Sequence, residues 1–347
     1  MTDKWPMVKL VDWVSNACAS LLWEGDTKVP ISIAFPRRQK NTSYLFSPRS
    51  GWFDYLTHEC RHQPVVALLI AALGKLSYLL GIDKTIFIGN YPISTSIWNA
   101  EQENELLSIA KKMRALNPNY YIGVRNLLPH RHPTLISNLK SFGYLGIPSR
   151  VIYEFDLRCE NVSIPSHLKR DLALLKKLNL DVQVCSKLDQ DSLIRIHDLY
   201  QKIYLHKHSL LNPQYTVQFF DDIVNQGVMS CLLIRGLDQQ ICSFALLLRA
   251  GHTLTVPALG YDTKFNLEGS YRVLFAAIYT YAKDQRLLLN YSSGAGDFKR
   301  KRGGIGYLEY TYLVCPFNSY DIKKFILALV AQKTATLKVQ DLIKLGA

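Results

Sequence analysis

The 347 residues contain no Cys-x-x-Cys pair. The seven cysteines (Cys18, Cys60, Cys159, Cys185, Cys231, Cys242 and Cys315) are scattered and odd in number. That argues against a zinc knuckle, a metal centre or a dithiol redox site, and for reduced core thiols in a cytoplasmic setting. No GxxxxGK[ST] run occurs, so an NTPase phosphate loop is excluded. No GxGxxG joins a strand to a helix; Gly294-Ala295-Gly296 leads into basic residues instead. Disorder-prone composition is also missing, the apolar fraction being 48%. Met1 to Leu10 lacks the apolar core of a secretory leader. The longest apolar run starts at Pro64 and continues to Leu80, but Lys75 interrupts it. It is short for a transmembrane span and reads as a buried helix, with membrane contact as the alternative and no stable insertion expected.

What is abundant is positive charge. The net charge is +13, from 18 basic against 13 acidic residues over 1–160 and 23 against 15 over 161–347. A basic excess spread over both parts suits RNA, an anionic membrane or an anionic cofactor, and does not choose among them.

Periodicity and breakers divide the chain into two runs of elements. The first reads as a short helix over 11–23, strands at Val29 to Phe35 and Ser43 to Phe46 about a basic turn Arg37 to Lys40, and a helix over 63–80. A strand at Thr85 to Ile88, a helix at Glu101 to Ala115, a strand at Tyr120 to Val124, a helix at Pro133 to Phe142 and a strand at Val151 to Leu157 follow. Residues 158–180 read as a connector containing a helix. The second run is a strand at Val182 to Cys185, a helix at Asp189 to Lys202, a loop at His206 to Pro213 and a helix at Val217 to Asn225. Then come a meander (Met229 to Arg235, Ile241 to Arg249, Thr253 to Leu259), a helix at Ser270 to Lys283, strands at Leu287 to Tyr291 and Gly306 to Val314, and a helix at Ile322 to Leu345. Mixed sheets covered by helices follow, an α/β (α+β) class, with two related domains in tandem: 1–160, a connector helix at 161–180, and 181–347.

Three stretches carry candidate chemistry. In the first, the strand ending at Leu259-Gly260-Tyr261 leads to Gly269-Ser270-Tyr271-Arg272 at a helix start, where unpaired N–H groups and the helix dipole favour phosphate. Ser270 reads equally as an ordinary cap. In the second, LLLNYSSGAGDFKRKRG over 287–303 delivers a tight turn and a cationic edge, with Gly294 and Gly296 allowing close approach of a ligand or another chain; a solvated basic loop is the other reading. In the third, Arg49 and Trp52 suit a ligand cleft or a packed loop.

The meander, LGYDTKFNLEGSYRVLFAAIYTYA at 259–282 and NYSSGAGDFKRKRGG at 290–304 resemble the GNAT acyltransferase superfamily, in the tandem-domain branch related to the Fem peptidoglycan cross-bridge enzymes. The first half, with YLFSPRSGW at 44–52, is similar to that branch's degenerate N-terminal domain. The resemblance implies two GNAT-like domains, each a mixed, mostly antiparallel sheet flanked by helices. It implies transfer of an acyl group from acetyl-CoA or another acyl-CoA to the amine of a small or amino-acid-like acceptor, by direct attack and without a metal. It also implies site residues: Leu259, Gly260, Tyr261, Gly269, Ser270, Tyr271 and Arg272 for the cofactor, and Arg49, Trp52, Gly294, Gly296, Phe298 and Lys299 for the substrate. His206 or His208 would serve as proton acceptor, Tyr291 would protonate the leaving thiolate, and Asp297 would orient the amine. NLEGSYR departs from the family's phosphate loop, having one glycine and the acidic Glu268. Aminoacyl transfer from charged tRNA and a catalytically inactive two-domain binding protein are the alternatives.

Overall fold

Apolar side chains on both faces of a strand demand cover on both faces, and the meander shows how the chain supplies it. The computed structural model describes residues 5–35, 41–96, 98, 100–159, 163–236, 238–263, 269–317, 323–333 and 336. The strands are β1 (Ala19–Glu24), β2 (Val29–Ala34), β3 (Thr85–Ile88), β4 (Tyr121–Leu127), β5 (Leu145–Asp156), β6 (Asp181–Cys185), β7 (Ser230–Arg235), β8 (Ile241–Ala250), β9 (Thr253–Thr255), β10 (Leu259–Tyr261), β11 (Leu288–Asn290) and β12 (Ile305–Val314). On β7, Cys231 and Leu233 face one core, while Leu232 and Ile234 face another. Helices on both sides close these cores: α7 (Gln190–Tyr200) and α8 (Val217–Asn225) on one, α6 (Ser166–Leu178) and α9 (Ser270–Asp284) on the other. Asp189 caps α7 by accepting from the Ser192 N–H, and Thr216 caps α8 by accepting from Phe219. The remaining helices are α1 (Leu10–Trp13), α2 (Tyr55–Glu59), α3 (Pro64–Leu79), α4 (Ala100–Leu116), α5 (Pro133–Ser141) and α10 (Gly296–Arg300). Wide helical turns at Ser50–Asp54 and Gln201–His208 lead into α2 and extend α7.

The strands form one mixed sheet in the order β1-β2-β3-β4-β12-β5-β11-β9-β8-β7-β6, with β10 paired to β8. The two runs of elements therefore share a sheet. The last strand among the described residues, β12, inserts between β4 and β5 of the first run, and β5 pairs with both β12 and β11. Each run lends a strand to the other, so the two runs close on a common central pair instead of on the two separate sheets expected. Parallel pairing occurs twice among the described residues, between β3 and β4 and between β9 and β11.

Several local expectations change. Residues 11–23 are only partly helical: α1 ends at Trp13, Cys18 turns the chain with φ 46°, and β1 pairs with β2. Ser43 to Phe46 is a turn rather than a strand, stitched by Ser43 to the Asn16 carbonyl and by Tyr44 to that of Leu211. The helix over 63–80 forms but is not buried; most of its large apolar side chains are exposed. The loop expected at 206–213 begins inside a helical turn that runs to His208. The basic turn Arg37 to Lys40, Glu268, and all of the C-terminal helix beyond residue 333 except residue 336 lie outside the described residues.

Candidate active site

In open sheets with parallel strands, ligands collect at the strands' carboxyl ends, where the connecting loops diverge. Here both parallel pairs empty into one polar cleft of about 140 Å³. Thr95, Ser96 and Trp98 come from the loop after β3; Asn126, Leu128, Arg131 and His132 come from the end of β4 and the loop beyond it. Thr255 and Asn290 end β9 and β11, and Glu309 of β12 forms part of the wall. This is room for a small polar group or a few waters.

The wall behind the cleft is built by the central strand pair. Arg150 and Glu309 are register partners on β5 and β12. Arg150 Nε donates to Glu309 Oε2 at 2.6 Å, and its other nitrogens donate to the Ser94 carbonyl and, at 3.4 Å, to Ser292 Oγ. Burial opposes the Arg150 charge, but Glu309 outweighs it and holds the guanidinium above its ordinary value. Asn126, at φ 61°, donates to Glu309 Oε2 at 2.9 Å and to Ser94 O at 3.2 Å, and accepts from Ser96 Oγ at 3.1 Å. Asparagine tolerates that left-handed backbone better than most residues. These bonds fix the loop after β3 to the central strands. Beside them, Glu154 of β5 meets His130 Nε2 at 3.1 Å and Arg131 at 2.8 Å, and Arg131 donates to Thr253 Oγ1 at 3.3 Å. The His130 ring stacks on Tyr307 at 4.0 Å.

His132 differs from its neighbours. It sits just before Pro133, which opens α5, and makes no side-chain cap. Its Nε2 lies 3.8 Å from Glu103 Oε1, in the first turn of α4, and its Nδ1 has no hydrogen-bond partner among the described residues. Burial, with Arg131 and His130 adding to it, pushes its pKa down to about 4. Burial also raises the pKa of Glu103. At neutral pH the cleft thus holds an uncharged imidazole with an unpartnered nitrogen, beside the Glu103 carboxyl group and the guanidinium of Arg131. Such a set can accept a proton from an attacking group and stabilise a developing oxyanion.

The residues singled out from sequence lie elsewhere, many of them around the turn after β11. Lys299, on α10, is 1% exposed and donates to the carbonyls of Tyr291 (2.7 Å), Ser292 (3.1 Å) and Ser293 (2.8 Å). Burial, then Arg150, holds its pKa well below the usual lysine value. Its ammonium pins the turn from inside. A side chain at Gly296 would meet Tyr153 Oη at 2.3 Å, whereas Gly294, at φ 79°, faces open space. Phe298 packs between Tyr271 and Phe275 and lies under the Arg302 guanidinium at 3.4 Å. The Tyr291 hydroxyl is buried near that of Tyr271 without a well-aligned hydrogen bond, and burial raises its pKa well above 10. Asp297 is exposed and pairs with Lys301 at 2.7 Å.

At the start of α9, Arg272 pairs with the buried Asp171 at 2.6 Å, and Arg302 holds the other oxygen of that carboxylate. Gly269 precedes α9 at φ 103°, and Ser270 Oγ lies 3.5 Å from the Asp262 carbonyl. Gly260 on β10 leaves room for α7, since a Cβ there would come within 2.8 Å of the Leu199 backbone. Its neighbour Leu259 packs on the α9 core, and Tyr261 contacts Tyr271 and Lys207. His206 and His208 are exposed at the end of the turn that extends α7. Arg49 is near Asp54 at 3.8 Å, and Trp52 packs with Phe87 and Leu327. Among the described residues no three His, Cys, Asp or Glu side chains converge as metal ligands.

The cleft residues Glu103, Arg131, His132 and Glu309, and Arg150 behind them, escaped the sequence reading. The signals were Pro-His-Arg-His-Pro over 129–133, at a strand–helix junction, and charged residues inside apolar strands: Arg150 and Glu154 at one face's spacing, and Glu309.

No protein-family model matches the chain, and no curated protein does. Solved structures do. The C-terminal domain assigned to a lysylphosphatidylglycerol synthetase of Agrobacterium fabrum overlays 92% of this chain and 89% of its own, with a TM-score of 0.54 at 12% identity. L-PGS from Bacillus licheniformis overlays 90% and 89%, with a TM-score of 0.51, also at 12% identity. The likeness is one of fold. It extends over most of both chains.

Proposed function

We propose that the chain is an acyltransferase whose reaction takes place in the cleft. An acceptor amine or hydroxyl attacks the carbonyl carbon of an activated acyl donor. His132 takes the acceptor's proton, Arg131 faces the oxyanion, and the donor's oxygen or sulfur leaves and is reprotonated. The observation that carries this reading is the free nitrogen of His132, buried and uncharged where both parallel strand pairs end.

The donor we favour is an aminoacyl ester such as charged tRNA. Both arginines that would grip a pyrophosphate near the start of α9, Arg272 and Arg302, are already held by Asp171. One structure that overlays nearly the whole chain is the C-terminal domain assigned to a lysylphosphatidylglycerol synthetase, which also favours an aminoacyl donor. The basic surface suits RNA. The second reading, acyl-CoA as donor and a small amine as acceptor, draws on Gly269 and the N–H groups that open α9. One experiment separates them: the purified chain is given labelled aminoacyl-tRNA or labelled acetyl-CoA with a panel of amine and hydroxyl acceptors. Label transferred from tRNA alone supports the first reading, and from acetyl-CoA alone the second. No transfer from either donor supports a binding protein.

A further inference from the structure

Helix α3 is built inside out. Val65, Leu68, Leu69, Leu73 and Leu76 are 43–71% exposed. Apart from the half-buried Ile70, the stripe turned inward is small: Ala67 and Ala71 are half-buried, Gly74 and Ser77 are buried, and a Cβ on Gly74 would stand 3.0 Å from that of Phe53. A core helix sends its bulk inward and its small or polar residues out. An exposed apolar patch of this kind marks a surface that meets something.

The surrounding charge narrows what it meets. From Cys60 to Ile82 there is no aspartate or glutamate, and Arg61, His62 and Lys75 are exposed. The helix at 323–333 belongs to the same covering layer, because its Leu327 and Ala331 pack with Trp52 and Phe87. It too turns Phe325 and Leu329 outward, and it carries Lys323, Lys324 and Lys333 with no acidic residue. A second copy of the chain would set these cations against their own kind.

We propose that α3 and the helix at 323–333 form a docking face for an anionic lipid bilayer. The leucines enter the acyl boundary while the basic residues meet the headgroups. No helix among the described residues is long and apolar enough to cross a membrane. At 1.5 Å per residue the 16 residues of α3 span roughly 24 Å, so the helix lies in the interface. The proposal stands apart from the chemistry of the cleft.

The test is flotation of the full chain with vesicles of phosphatidylcholine containing phosphatidylglycerol, and with phosphatidylcholine alone. Binding to the anionic vesicles, weakened by salt and at least tenfold stronger than to the neutral ones, is expected. A triple variant, Leu68→Gln with Leu69→Gln and Leu73→Gln, should lose that binding and keep its circular dichroism and melting temperature, since all three side chains are exposed. Leu69→Trp should show a blue-shifted emission on anionic vesicles only. Absence of binding by the unaltered chain, or binding that survives the triple variant, overturns the proposal. So does a dimer in lipid-free sizing that the triple variant dissolves, because the face then belongs to a second copy.

Discussion

Two charged regions of this molecule look alike in sequence and differ in use. The turn from Tyr291 to Gly304 presents lysine and arginine beside glycine, yet its cations are largely spent: Lys299 on three carbonyls, Arg302 on Asp171, Arg300 on the Tyr153 hydroxyl. The cleft at the ends of the parallel strands has fewer cations in its sequence, yet it keeps a buried imidazole nitrogen unspent. Buried polar groups that are all satisfied make a scaffold, and one left unsatisfied calls for an explanation in function. Charge density alone does not separate the two regions: the turn's Lys299 and Arg302 are held by named partners, with the Tyr291 hydroxyl and one Arg300 nitrogen left unpartnered, whereas the cleft's unpartnered atom is the nitrogen of an uncharged imidazole.

That contrast can be sharpened by substitution. The largest loss of stability is expected from Glu309→Ala, which leaves the partly buried Arg150, its side chain 19% exposed, without its partner: up to about 3–5 kcal/mol in urea unfolding, partly recovered when Arg150→Met is added. If the single variant is as stable as the unaltered chain, the central pair does not brace the cleft.

Next in size is a pH effect. His132 titrates near 4 in the folded chain and near 6.5 unfolded, so the unfolded state binds more protons between those values. Its burial is therefore free of penalty above pH 6.5, and stability falls as pH drops toward 4, by up to roughly 3 kcal/mol. His132→Asn should flatten that part of the pH–stability curve; an unchanged slope would assign it to other groups.

Lys299→Met comes after that, at about 2 kcal/mol, from carbonyls left without a donor. Transfer per folded molecule should stay the same, and a selective loss of turnover would move the reacting centre to the turn. The smallest effect is expected from Arg272→Ala. The side chain is 40% exposed and Arg302 still holds Asp171, so the change in melting is worth about 0–1 kcal/mol. A large rise in KM for acetyl-CoA in this variant would favour the thioester donor.

Much of the fold was legible because local pattern decides it. The meander 230–261 follows from β-branched and apolar runs between turns, and α9 from an apolar stripe that starts after Gly269. The exchange of β5 and β12 was not legible, since pairing across some 150 residues leaves no trace in periodicity. Nor was the outward face of α3: an apolar run reads as core whichever way its leucines point. The site was missed for a related reason. Arg150, Glu154 and Glu309 look like interruptions in strands until the register sets Arg150 against Glu309. Lys299 drew attention as a free cation because burial cannot be read from KRKR.

The most direct measurement is single-turnover transfer by His132→Asn and Lys299→Met side by side, each normalised to folded protein. Loss of a general base costs about 10²–10⁴-fold. The account predicts that loss in His132→Asn, with melting close to the unaltered chain, and unchanged transfer in Lys299→Met. Full transfer by His132→Asn would contradict it.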